Sequence, residues 1–185
     1  TGAAVCCNIL TGGERAVTAY ANPLILGFIA ALVVGAAIGC FNGFLVSKLN
    51  IQPMVATLIM FTAGRGIAQL ITDGQITYVR VDSYRVLGAS FPGFPVPTPF
   101  IVAVLVVALT SLLLKKTALG MYIQSVGINK RASQLVGIKS VLIIFLTYAY
   151  CGLCSGLAGL IASSRIYSAD ANNIGLNMEL DAILA

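Results

Sequence analysis

The chain has 185 residues, of which 58% are hydrophobic and 9% charged, too little polar surface to wrap a soluble globule of this length. Its formal net charge of +5 comes with no basic stripe of interleaved aromatics, so nucleic acid is not an expected partner. No His is present, which removes imidazole acid–base catalysis and the commonest metal ligand, and neither a metal nor a cofactor is expected.

Residues Gly2 to Leu10 are apolar but too short to cross a bilayer and read as the end of a span. Thr11 to Pro23, with Gly12-Gly13, Glu14, Arg15 and Asn22-Pro23, reads as a loop. The first complete span is expected over 24–46, which carries no charge. Within it Gly35, Gly39 and Gly43 recur every four residues, with Ala31 on the same face, so a second helix can approach closely there. Asn42, the one strongly polar group near its end, can bond a neighbouring helix or face a polar path.

Lys48, Asn50 and Gln52 form a polar hinge, and Pro53 suits the first turn of a helix because its missing N–H has no intrahelical role there. A second span is expected over 53–72, apolar apart from Thr57, Thr62, Arg65 and Gln69. Thr57, Phe61, Arg65 and Gln69 stand four apart on one stripe. An Arg near the bilayer centre costs about 2.5–3.5 kcal/mol on insertion scales, so Arg65 must face protein, water or headgroups. It either snorkels to the outer interface or lines a polar pathway.

The connector from Asp73 to Pro97 has charges that cancel, Asp73 and Asp82 against Arg80 and Arg85, which fits the outer side. A third span over 98–114 leads into Lys115 and Lys116. The segment 115–139 holds five of the eleven Lys and Arg residues and no Asp or Glu, and is expected to be a cytoplasmic loop. The fourth complete span, 141–163, has a small-residue face of Gly152, Ser155, Gly156 and Gly159. Cys151 and Cys154 form a C-x-x-C inside this apolar run, where packing outranks redox or metal chemistry. A polar stretch through Asp170 and Asn173 precedes a new apolar run at Leu180, so a partial span is expected at each end of a piece of a longer protein.

The second half of the basic segment carries helix signals: Asn129 as N-cap, Gly137 as stop, and Ala132, Leu135 and Val136 as an apolar face. Lys130 and Arg131 occupy the first turn, the unfavourable end of the helix dipole. Anionic headgroups of membrane lipid or an acidic protein would account for them, and so would a plain orientation signal.

The run Gly127-Ile128-Asn129-Lys130-Arg131-Ala132-Ser133-Gln134-Leu135-Val136-Gly137-Ile138 resembles the G-x-N-x-x-A-A-x-x-x-G-[IV] loop of permease subunits of bacterial ABC importers for simple sugars, the ribose, xylose, arabinose and galactofuranose group. Ser133 stands where that pattern has its second Ala. Asn42 to Val46 with Ile51 to Leu58, Gly64 to Thr72, and Ala169 to Asn173 with Glu179 to Ala185 are similar to the same family, the last two most of all to its galactofuranose-type permease.

The resemblance implies an all-α fold, a polytopic transmembrane helical bundle that is a fragment of a larger permease of the bacterial cytoplasmic (inner) membrane. It implies three protein partners: a second permease subunit, cytoplasmic ABC ATPase subunits and a periplasmic sugar-binding protein. Gly127, Asn129, Lys130, Arg131, Ala132, Leu135, Val136 and Gly137 match the position at which such permeases dock on the ATPase. The expected function is ATP-driven import of a monosaccharide, a furanose such as galactofuranose among the candidates, with Asn42, Thr57, Thr62, Arg65 and Gln69 as candidate pathway residues. The alternative is a passive channel or facilitator for small polar solutes. An enzyme is not expected, because the complete spans lack paired acidic residues and the chain lacks the Gly-x-x-x-x-Gly-Lys-Ser/Thr phosphate loop.

Overall fold

Four helices dominate the computed structural model, which describes residues 2–11, 16–17, 24–79, 88, 97–166, 168–169 and 184. They are α2 (Leu24–Lys48), α3 (Pro53–Ile71), α4 (Thr98–Lys116) and α7 (Ser140–Ile166). At 1.5 Å per residue their 19 to 27 residues span about 28–40 Å, and all four are long and apolar enough to cross a membrane. Pro53 opens α3 at its first turn, where a missing N–H costs no hydrogen bond. Lys48, the Lys115-Lys116 pair and Arg165 close α2, α4 and α7, putting cations beside unpaired C-terminal carbonyls.

The central pair is α2 and α7, and glycine sets its geometry. A Cβ built on Gly39 would lie 2.6 Å from the Tyr148 carbonyl oxygen and 2.8 Å from Gly152 Cα, so the two backbones touch without intervening side chains. Gly35 meets Gly152 and Gly156 in the same way, and Gly43 meets Phe145. Because lipid is as apolar as leucine, such close van der Waals contact, rather than hydrophobic transfer, is what holds two membrane helices together.

A short helix, α1 (Gly2–Thr11), packs against this pair. Cys6, Cys7 and Leu10 meet Ala31 of α2 and Leu160 of α7 in the buried core, with Phe28 and Leu32 at its edge. Asn8 Nδ2 donates to the carbonyl of Ile71 at 2.8 Å, tying α1 to the end of α3. By contrast α4 has no buried residue, and Thr110 Oγ1 lies 2.6 Å from Tyr150 Oη of α7 in a hydrogen bond between hydroxyls.

Three short strands join the far ends of these helices. β1 (Ala16–Val17) pairs in parallel with β2 (Thr77–Val79), which pairs antiparallel with β3 (Ser168–Ala169). The sequence predicts only loops here, because strands of two or three residues cannot display a period-2 pattern. The architecture is still a helical bundle, with the sheet as a clasp gathering three connections at one end.

The basic segment is more helical than a loop. After Thr117 the chain forms α5 (Ala118–Ile128), then breaks at Asn129 and re-enters as α6 (Lys130–Leu135). Glu14, Arg15, Arg80, Asp82, Arg85, Asp170 to Asn173 and Glu179 to Ile183, used above for loop sign and resemblance, lie outside the described residues.

Candidate functional site

The segment between α4 and α7 is built around Asn129. This residue leaves helical conformation with φ −152° and ψ 102°, and its Oδ1 accepts from the backbone N–H groups of Arg131 and Ala132, both at 3.1 Å. Two of the donors orphaned at a helix start are thereby satisfied. At the other end Gly137 takes φ +88°, its N–H donates to Gln134 O and that of Ile138 to Ser133 O, both at 3.0 Å. This paired closure is the Schellman arrangement, and the left-handed φ explains why glycine stands there. One turn and a half of helix is thus fixed at both ends by local hydrogen bonds.

Its inward side is not the side that hydrophobicity indicates. Ser133 is the buried residue of α6, and its hydroxyl donates to the Asn129 carbonyl at 3.0 Å, so the small side chain is accommodated without an unpaired polar atom. Ala132 is exposed, and Leu135 and Val136 are 89% and 80% exposed. The apolar face therefore points away from the rest of the chain, with Ile128, at 84%, beside it. Gly127 meets nothing within 4 Å of where a Cβ would be.

The two cations of α6 have different surroundings. Lys130 Nζ donates at 2.8 Å to Oδ1 of Asn50, which sits in the α2–α3 turn with φ +51°, a left-handed conformation that Asn tolerates well. Arg131 is exposed. Asn50 is a contact residue that sequence reasoning passes over, since a lone Asn in a four-residue turn carries no periodic signal. The helix α5 did have one: Leu119, Tyr122, Ile123 and Val126 follow the i, i+3, i+4, i+7 spacing.

Thr57, Phe61, Arg65 and Gln69 share one face of α3. Arg65 stacks its guanidinium over Phe61, with Cζ 4.8 Å from the ring centroid, and is half-buried. Thr57 is exposed and its hydroxyl donates back to Pro53 O and Met54 O at 3.0 Å. Thr62, about 100° round the helix from Phe61, is exposed and donates to Ile59 O at 2.8 Å. Both hydroxyls are satisfied within their own helix and keep a free lone pair for a further contact. Asn42 lies on α2, and its buried Oδ1 has no hydrogen-bond partner among the described residues. Of the five candidates, four lie on α3 and Asn42 on α2.

Comparison with known proteins agrees with this architecture. The chain is 48% identical over 175 residues to the galactofuranose transporter permease protein of Escherichia coli K12, covering 95% of this chain and 50% of that protein. It is 45% identical over 167 residues to the fructose import permease protein of Bifidobacterium longum, covering 86% of this chain and 46% of that protein. It is 37% identical over 160 residues to the ribose import permease protein of E. coli K12, covering 84% and 49%. The chain spans about half the length of these curated relatives, which are transport permeases rather than enzymes. No solved structure matches it. With four membrane-crossing helices it is a multi-pass integral protein of the bacterial inner membrane. The family model that matches residues 2–185 is that of the permease component of branched-chain amino acid transport systems, and to this permease family the chain belongs.

Proposed function

We propose that this chain is part of the membrane-crossing permease of an ATP-driven importer for a monosaccharide, with ATP hydrolysed by a separate cytoplasmic subunit. The observation that carries the reading is α6: a helix of 6 residues, capped at both ends, presents Arg131, Leu135 and Val136 outward between two membrane helices. A passive facilitator has no need of such a surface. The names of the relatives favour a sugar as cargo, and a galactofuranose-like furanose fits best with the 48% identity.

In this mechanism the ends of α2 and α4 and the segment 117–139 face the cytoplasm, and closure of the ATPase pair pushes on α6. The force tilts α4 and α7, which flank it, and the pathway changes the side to which it opens. A second permease subunit completes the path, and a periplasmic sugar-binding protein delivers the cargo. Thr57, Thr62, Arg65, Gln69 and Asn42 supply hydroxyl-matching polar groups along it.

Replacing Lys130 and Arg131 together by Glu in the complete transporter is expected to abolish stimulation of ATP hydrolysis by the binding protein while leaving membrane insertion intact. Arg131→Glu alone should produce most of that loss, because Lys130 is already held by Asn50. Unchanged ATP-dependent uptake in the double variant would overturn the docking role. Uptake by the unaltered protein without ATP would favour a facilitator, and competition between furanoses, pentoses and branched-chain amino acids identifies the cargo class.

A further inference from the structure

Lys48 ends α2 and Lys139 directly precedes α7. Both line an open groove of about 620 Å³ formed by the end of α2 and the start of α7. Phe44, Leu142 and Phe145 line it with apolar surface, Phe44 43% and Leu142 52% exposed. Lys48 and Lys139 line the same groove, and Lys48 Nζ lies 5.8 Å from the centroid of the Phe44 ring. No Asp or Glu occurs in residues 15–72 or 83–169, the stretches that contribute these lysines and their neighbours along the chain.

We infer that this groove binds an anionic phospholipid, its phosphate held by Lys48 and Lys139 and an acyl chain lying along Phe44, Leu142 and Phe145. Three features select this occupant. The groove opens at the end of two membrane-crossing helices, the depth at which headgroup and acyl chain meet. Its lining carries two cations and no carboxylate. Its apolar residues adjoin exposed apolar flanks of α2 and α7, such as Phe41 and Leu146, where hydrocarbon is the surrounding medium. Basic pockets between membrane helices on the cytoplasmic side recognise headgroups in this way. The inference rests on the cytoplasmic orientation of this end and not on the identity of the cargo.

The test is lipid retention by the complete transporter, purified in detergent and titrated with phosphatidylglycerol and, separately, phosphatidylcholine, with bound lipid read by native mass spectrometry. Lys48→Gln with Lys139→Gln is expected to weaken phosphatidylglycerol retention about thirtyfold, the worth of two interfacial cations, with phosphatidylcholine little changed. Leu142→Trp, which fills the apolar half and keeps both lysines, should also lower retention. Equal weakening by Lys115→Gln with Lys116→Gln, outside the groove, would overturn the site in favour of diffuse surface charge. Full retention in the Lys48/Lys139 variant, or displacement of the lipid by millimolar inorganic phosphate alone, would also overturn it. ATPase stimulation is measured on the same samples, so a failed coupling model and a failed lipid site give separate signatures.

Discussion

Replacing Gly39 by Ala tests the α2–α7 seam most directly. The added methyl would sit 2.6 Å from the Tyr148 carbonyl oxygen and 2.8 Å from Gly152 Cα, and neither atom can rotate away because both belong to the backbone. Restoring ordinary contact at 3.4 Å requires the helices to part by about 0.8 Å locally, which loosens the neighbouring contacts at Gly35 and Gly43 as well. Overpacking of this kind costs about 1–3 kcal/mol. Gly66→Ala makes the same chemical change in α3 where nothing lies within 4 Å. Because Ala leaves the unfolded chain less conformational freedom to lose, that substitution should be neutral or stabilising by about 0.4–1 kcal/mol. Thermal aggregation in detergent, followed by fluorescence-detected size exclusion, compares the two, and Gly39→Ala should melt several degrees lower. Equal midpoints would refute a backbone-to-backbone seam.

Arg65→Leu separates the two readings of the α3 stripe: loss of uptake with normal insertion places Arg65 on the path, whereas normal uptake leaves it an interfacial anchor over Phe61. Asn42→Leu removes a buried oxygen that has no partner among the described residues, and an unpaired buried acceptor costs about 1–3 kcal/mol. Thermal stability should therefore hold or rise, while a loss of stability would show that Asn42 bonds a group beyond the described residues.

What was legible in the sequence follows from the range of each interaction. Asn129 and Gly137 announce their caps because capping is local, settled within four residues. The Gly35–Gly39–Gly43 stripe announces a close helix approach but not its partner, since α7 lies about a hundred residues away and its own small-residue face carries no address. That Leu135 and Val136 share one apolar face is legible from their spacing, whereas its direction relative to the rest of the chain is not. An apolar face shows only that something apolar covers it, and in α6 the chain itself buries Ser133 instead. The clasp of β1, β2 and β3 was hidden for a different reason: pairing of two or three residues depends on where the helices deliver their ends.

The seam also has a mechanical consequence. Two helices whose backbones touch cannot approach further, and α2 and α7 form one tightly packed beam. Lys130 fastens α6 to the turn at the end of that beam, while α4 buries none of its residues. α6 is thus anchored to the α2–α7 pair, whereas α4 is held to α7 by the Thr110–Tyr150 hydroxyl pair and turns into α5 at Thr117.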